Sequence, residues 1–99
     1  MYKHLVLWRL KADTPNKLAL AQEIKRRLDS LPAVIKEIRH YEVGINIGSY
    51  DASFFDVGLI SAFDDQAGFL RYIQYPEHDA VVAFITSVTA DEQIVDFES

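Results

Sequence analysis

Residues 4–11 place the strongest limit on the fold, because this stretch is apolar in both phases of a two-residue repeat. The stretch alternates as a β-strand does and is rich in leucine, valine and tryptophan. One phase holds His4, Val6, Trp8 and Leu10, and the other holds Leu5 and Leu7. A strand that is apolar on both sides is covered on both sides. We therefore expect packed layers against both faces of this strand.

Thr14-Pro15 predicts the start of a helix, because threonine caps helices and proline suits the first helical position. Apolar residues then recur at steps of three and four, as on one face of an amphipathic helix. This stripe consists of Leu18, Ala21, Ile24, Leu28 and Leu31. The helix should end by Leu31, because Pro32 disfavours helical geometry in the residue before it.

Three further strands are predicted, over residues 38–48, 54–63 and 92–98, from their alternating apolar residues. One phase of the second predicted strand holds Tyr41, Val43, Ile45 and Ile47, and the other holds His40, Glu42, Gly44 and Asn46. The corresponding phase of the third is Phe55, Val57, Leu59, Ser61 and Phe63. Residues 48–53 have the composition of a loop.

The second helical region is interrupted by a proline. Asp64 or Asp65 should cap a short helix that runs to about Tyr72. Pro76 forbids this helix from continuing, because proline lacks an N–H and its ring clashes with the preceding turn. After the break a second apolar stripe follows, made of Val81, Phe84, Ile85 and Val88.

The predicted order is β-α-β-β-α-β with the second helix broken at Pro76, which is the ferredoxin-like pattern of an α+β domain. Its four-stranded antiparallel sheet carries helices on one face only. Leu5 and Leu7 make the other face too apolar to remain bare. We therefore expect a homodimer, a dimeric α/β barrel in which the open faces of two sheets pack together about a two-fold axis.

The composition narrows the class of protein. A length of 99 residues fits a single domain over residues 1–99. The absence of cysteine excludes disulfides and fits a reducing cytoplasm, where we expect the protein to lie. A net charge of −5 disfavours nucleic-acid binding. The first apolar run ends at Arg9 and is too short for a signal peptide or a membrane span, so no membrane partner is expected.

The segment Tyr72-Ile73-Gln74-Tyr75-Pro76-Glu77-His78 brings a phenol, a helix break and an imidazole close together. We predict a small-molecule pocket between sheet and helices that includes Tyr72 and His78. Its other expected ligand-contacting residues are His4, Val6, Trp8, Val57, Leu59 and Phe84. If Trp8, Val57 and Phe84 filled this space, there would be no room for chemistry.

Each candidate also has a purely structural interpretation. His78 could seal the core and hydrogen-bond a neighbouring strand, and Tyr72 could be a half-buried aromatic with its hydroxyl at water or a backbone carbonyl. His4 could be a satisfied histidine at the rim, and His40 should be solvated beside Glu42. The three histidines lack the spacing of any metal-binding motif, so no metal and no cofactor is expected.

Five short motifs follow one another along the chain. They are Lys3-His4-Leu5-Val6-Leu7-Trp8, Tyr41-Glu42-Val43-Gly44, Phe55-Asp56-Val57-Gly58-Leu59, Tyr75-Pro76-Glu77-His78 and Val95-Asp96-Phe97-Glu98. Through these motifs and their order, the chain resembles the stress-responsive dimeric α/β-barrel (Dabb) family. The resemblance implies a ferredoxin-like protomer and a dimer with a barrel-like interior, without implying one activity.

The chain is also distantly similar to a plant polyketide cyclase of that family. This similarity implies that Tyr72 and His78 stand where its catalytic pair stands, and that His4 faces the same pocket. An aldol cyclisation needs a base, which an imidazole can supply near neutral pH, and a hydroxyl donor to the developing oxyanion. One hypothesis is therefore a dimeric barrel that binds a small apolar or aromatic metabolite without converting it, or that acts in stress tolerance through its own stability. The second is a cofactor-free lyase with His78 as base and Tyr72 as oxyanion donor. A third, a purely structural dimer, is close to the first.

Overall fold

The computed structural model describes residues 1–99 and has the ferredoxin-like α+β fold that the sequence predicts. A four-stranded sheet in the order β2-β3-β1-β4, with every neighbouring pair antiparallel, carries all the helices on one face. The elements are β1 (Tyr2–Leu10), α1 (Lys17–Asp29), a 3₁₀ turn (Leu31–Ala33), β2 (His40–Ile45), β3 (Val57–Phe63), α2 (Gln66–Tyr72), α3 (Pro76–Val88) and β4 (Thr89–Glu98). None of the helices is long and apolar enough to cross a membrane.

The two phases of β1 point to different environments, as the sequence predicts. The phase of Val6, Trp8 and Leu10 is buried in the core between the sheet and the helices. The opposite phase forms the open face of the sheet, which is partly exposed and largely apolar. Its exposed members are Leu7, Ile60, Val95 and Phe97, which are 43–54% exposed.

The start of α1 differs from the prediction. Asn16, and not Thr14, is the N-cap, and its side-chain oxygen accepts a hydrogen bond from the backbone N–H of Ala19 at 3.1 Å. The hydroxyl of Thr14 instead donates to the carbonyl of Lys11 at 2.7 Å, in the turn before the helix. The buried stripe therefore begins later than predicted, and Leu18 in the first turn is 60% exposed.

Strand β2 is shorter than predicted because a side chain diverts the backbone after Ile45. The side-chain amide of Asn46 exchanges two hydrogen bonds with the backbone of Gly48, at 3.1 and 3.2 Å. This local turn ends the strand, and Ile47, which we expected to continue the apolar phase of the strand, is 97% exposed. Strand β3 then begins only at Val57.

The helix break lies where the sequence predicts it. Asp65 caps α2 by accepting a hydrogen bond from the N–H of Gly68 at 2.8 Å. Helix α2 ends at Tyr72, and α3 begins at Pro76 with Tyr75 in the extended conformation before it. The break separates α2 from α3, with Tyr72 as the last residue of α2 and His78 in the first turn of α3.

Candidate functional site

A cavity of about 240 Å³ lies between the sheet and helices α2 and α3. We call it the helix-side cavity. Its lining is formed by β1, β3 and β4 below, by α2 and α3 above, and by the end of α1 and the 3₁₀ turn at the side. The lining residues are His4, Val6, Trp8, Leu28, Leu31, Leu59, Phe69, Tyr72, Ile73, His78, Val81, Val82, Ile85, Glu92 and Ile94.

The helix break brings Tyr72 and His78 together in the roof of this cavity. Their ring centroids lie 4.6 Å apart in an edge-to-face arrangement. The Tyr72 ring also packs against Phe63, at 4.8 Å, and against Phe69, at 6.0 Å. This aromatic cluster fixes the direction in which the first residues of α3 approach the sheet.

His78 is largely buried and carries an unused ring nitrogen. Its Nδ1 atom is buried without a hydrogen-bond partner, and the nearest carboxylate oxygen, Asp79 Oδ1, lies 3.7 Å away. The hydrogen bond to a neighbouring strand that the structural interpretation requires is therefore not made by Nδ1. Burial lowers the pKa of His78 more than Asp79 raises it, so the imidazole is neutral at pH 7.

The Tyr72 hydroxyl has a partner that sequence reasoning did not identify. It lies 2.8 Å from the hydroxyl of Tyr41 on β2, and either oxygen can be the donor. Tyr72 is only 1% exposed, and burial raises its pKa to about 12. Tyr72 is therefore a neutral phenol that can donate elsewhere only when it accepts from Tyr41.

His4 is held in the floor of the cavity by a carboxylate. Its Nδ1 lies 2.6 Å from Oδ1 of Asp96, and the other oxygen of Asp96 accepts a hydrogen bond from the Tyr2 hydroxyl, also at 2.6 Å. The His4 ring also lies 4.8 Å from the Phe69 ring, centroid to centroid. An imidazole bonded to a carboxylate through Nδ1 is fixed in its orientation, as in histidines that serve as bases.

Trp8 lines the cavity and does not close it. Its indole N–H donates to Oε2 of Glu92 on β4 at 2.9 Å. Glu92, Asp96 and Tyr41 are the polar residues around the cavity that sequence analysis missed. Tyr41 and Asp96 belong to two of the five motifs, and Glu92 and Asp96 alternate in phase with Ile94 along β4, but neither signal indicates a contact with the cavity.

Six of the eight predicted residues line the helix-side cavity: His4, Val6, Trp8, Leu59, Tyr72 and His78. The other two lie elsewhere. Val57 is buried further along β3, where it pairs with Trp8 and Ile45. Phe84 lies between α3 and α1, with the guanidinium carbon of Arg27 3.7 Å from the centre of its ring.

The remaining polar candidates lie outside this site. His40 is exposed on β2, with its Nε2 3.7 Å from a carboxylate oxygen of Glu42. No group of three histidine, aspartate or glutamate side chains is arranged to hold a metal ion. The chemistry that the lining itself offers is therefore that of two imidazoles, a phenol and a carboxylate in an otherwise apolar space.

A larger depression, of about 560 Å³, lies on the open face of the sheet. It lies beside the glycine pair Gly44–Gly58, whose missing side chains leave room on the sheet surface. Its other main walls are the side chains of Leu5, Leu7, Ile60 and Val95, and Glu42 is its one titratable residue. Despite its size, this depression offers few groups for catalysis or for polar recognition, and its apolar walls suit packing against another surface.

Comparison with known proteins gives relatives over the whole chain. An uncharacterized protein of Streptomyces coelicolor is 33% identical over 99 residues, covering 92% of this chain and 97% of the relative. A solved structure of a dimeric protein of unknown function from Bacteroides fragilis, also ferredoxin-like, is 32% identical with a TM-score of 0.88, covering 99% and 95% of the two chains. Further solved structures with this fold are also described as dimeric.

A more distant neighbour is an enzyme. The hydroxynitrile lyase from Passiflora edulis is 18% identical with a TM-score of 0.81, covering 97% of this chain and 90% of that chain, which shows a shared fold. The model of one family, described as the stress responsive A/B barrel domain, matches residues 2–99. The chain therefore belongs to the stress responsive A/B barrel domain (Dabb) family, as its motifs indicate.

Proposed function

We propose that the protein binds a small apolar or aromatic metabolite in the helix-side cavity. The observation that carries this proposal is the composition of the lining, in which twelve of fifteen residues are hydrophobic and two imidazoles are the main polar groups. Ligand sites are typically apolar spaces with a few polar groups that fix orientation. His4 and His78 are suited to that orienting role.

The size of the cavity limits the size of the ligand that it can bind. An apolar cavity of about 150 Å³ accepts benzene, so the 240 Å³ found here suits a single ring with short substituents. A long polyketide chain would not fit without enlargement of this space. The ligand class is therefore a monocyclic aromatic compound or an aliphatic compound of similar size.

We further propose that the protein acts as a homodimer through the open face of its sheet. The half-exposed side chains of Leu7, Ile60, Val95 and Phe97 support this proposal, because large apolar side chains grouped on one exposed face mark interaction surfaces. The dimeric state of related ferredoxin-like proteins agrees with it. In such a dimer the helix-side cavity remains on the opposite face of each sheet.

Binding can be tested by narrowing the cavity from a position that tolerates change. Val82 lies in the lining and is 38% exposed, so Val82→Phe adds bulk there with little strain on the core. We expect the affinity for benzyl alcohol, followed by NMR chemical-shift titration, to fall at least about tenfold, because the added ring takes up the binding volume. Shifts in the parent should centre on Val81 and Ile85.

The matched control is Val34→Phe, the same change at a valine that is 51% exposed and lies outside the lining. It should bind benzyl alcohol as the parent does. Binding that is unaffected by Val82→Phe, or shifts that centre on the open-face depression, would place the ligand site elsewhere and refute the proposal.

A second candidate function is proton transfer without a cofactor, as in a cyclase-like lyase. The specific observation in its favour is the neutral, partnerless imidazole of His78 beside the Tyr72 phenol. His78 would take a proton from the carbon next to a carbonyl and leave an enolate. Tyr72 would donate a hydrogen bond to the enolate oxygen while accepting one from Tyr41.

This chemistry predicts hydrogen–deuterium exchange in a simple ketone. In D₂O the parent should catalyse exchange of the α-protons of phenylacetone, because the enolate takes its new hydrogen from solvent-exchanged His78. His78→Ala should lower the rate by about 10²–10⁴-fold, the usual contribution of a general base. His40→Ala, which removes an exposed imidazole, should retain the exchange rate of the parent. Equal exchange in His78→Ala and the parent, measured by NMR, would exclude this second function.

A further inference from the structure

On the side of β1 and β4, the floor of the helix-side cavity follows three rows of paired residues, all of which except Asp96 line the cavity. Strands β1 and β4 place His4 opposite Asp96, Val6 opposite Ile94 and Trp8 opposite Glu92. Opposed residues of an antiparallel pair share one face of the sheet. The floor is therefore polar at one end, apolar in the middle and polar at the other, and spans roughly 13 Å at about 3.3 Å per residue.

The carboxylates at the two ends are used differently. Asp96 accepts hydrogen bonds from both His4 and Tyr2, so both of its oxygens are engaged. Glu92 accepts one side-chain hydrogen bond, from the indole of Trp8. An ionised carboxylate has about four acceptor sites, so Glu92 is held in place by Trp8 and still keeps free acceptor capacity at the cavity.

Glu92 has no partner of opposite charge at its end of the cavity, because the His4 imidazole lies at the other end against Asp96. None of the lining residues is lysine or arginine, and burial keeps His78 neutral at pH 7. Glu92 is exposed on the edge strand β4, so solvent screens its outer side, while the lining beside it is formed by the apolar side chains of Val6, Trp8 and Ile94. A ligand in the cavity therefore meets an uncompensated negative charge at the Trp8 end.

We propose that Glu92 makes the helix-side cavity selective for uncharged single-ring ligands that carry a hydrogen-bond donor, and excludes ring carboxylates of the same size. This selectivity rests on the proposed function, in which the cavity takes a small aromatic molecule. A hydroxyl group on the ligand can donate to the free acceptor sites of Glu92. A carboxylate at the same place has no proton to donate and is repelled.

Benzyl alcohol and benzoate test this selectivity, because they share a ring and differ in charge. We expect the parent to bind benzyl alcohol at least about tenfold more tightly than benzoate in NMR titrations at pH 7. Glu92→Gln keeps the length of the side chain and an oxygen acceptor for Trp8. In this variant the preference should largely disappear, through tighter benzoate binding.

Glu98→Gln is the matched control. It removes the same charge from the same face of β4, outside the cavity lining, and should keep the preference of the parent. Equal binding of the two probes by the parent, or an unchanged preference in Glu92→Gln, overturns the selectivity while leaving the proposed binding function intact. If neither probe shifts cavity resonances in the parent or Glu92→Gln, the binding function and the selectivity both fail.

Discussion

Replacing Leu7 by aspartate is expected to convert a dimer into a monomer at micromolar concentration. Leu7 is 46% exposed in the protomer and lies on the open face, opposite Gly58 and Gln93. In a two-fold interface the change occurs twice. Dimerisation buries only the exposed half of Leu7, so each copy loses about half of the 1.5–3 kcal/mol of a fully buried leucine. Each copy must also desolvate a carboxylate, which adds to the loss. Because about 1.4 kcal/mol corresponds to a tenfold change in the dissociation constant, the dissociation constant of the dimer should rise at least about 100-fold.

Sedimentation equilibrium measures this change directly. The matched control is Leu18→Asp, because Leu18 is 60% exposed on the helix side and the first turn of α1 favours a negative charge. This variant should remain dimeric. A Leu7→Asp variant that sediments as the parent does, or a parent that is itself monomeric, would refute the proposed assembly.

Strand β1 links the proposed interface to the proposed ligand site. Leu5 and Leu7 point to the open face, whereas His4, Val6 and Trp8 point into the helix-side cavity. One extended segment thus supplies both surfaces, and the β-strand period of two keeps them apart. Slippage of β1 by one residue would exchange the two sets of side chains, so the register of this strand has to be fixed from both sides.

The sheet and its two faces could be predicted because they depend on local periodicity. The alternation in residues 4–11 defines both faces of β1, and Pro76 sets the helix break by its own covalent structure. The helix start was predicted wrongly because two nearby residues compete for the same role. Thr14 and Asn16 are both able to cap a helix, and only the turn that occupies the Thr14 hydroxyl leaves Asn16 as the cap.

The partners of the site residues could not be predicted, because they depend on strand register. His4 meets Asp96 across 92 positions of the chain, and Trp8 meets Glu92 across 84. A shift of two residues in the pairing of β1 with β4 would replace both partners and leave the apolar pattern largely intact. The Tyr41–Tyr72 hydrogen bond likewise depends on how α2 packs over the sheet, which no local spacing fixes.

Tyr72→Ala is expected to cause the largest loss of stability among substitutions in the candidate site. The Tyr72 side chain is almost fully buried among the rings of Phe63, Phe69 and His78. Removing such an aromatic side chain leaves a cavity that typically costs about 3–5 kcal/mol. This is a large part of the total stability of a small domain, which is about 5–15 kcal/mol. Urea denaturation should show a lower midpoint, and Tyr50→Ala, at a tyrosine that is 74% exposed, is the control.

Tyr72→Phe separates the packing of the ring from the hydrogen bond of its hydroxyl. The ring contacts remain, but the buried Tyr41 hydroxyl loses its partner, which should cost about 1–3 kcal/mol. Tyr41→Phe added to Tyr72→Phe removes the unpaired group, so the double variant should lose less than the sum of the single losses. Additive losses would show that the two hydroxyls are not coupled. If Tyr72→Phe also lost the exchange of phenylacetone protons while Tyr41→Phe retained it, the Tyr72 hydroxyl would have a role in the cavity beyond stability.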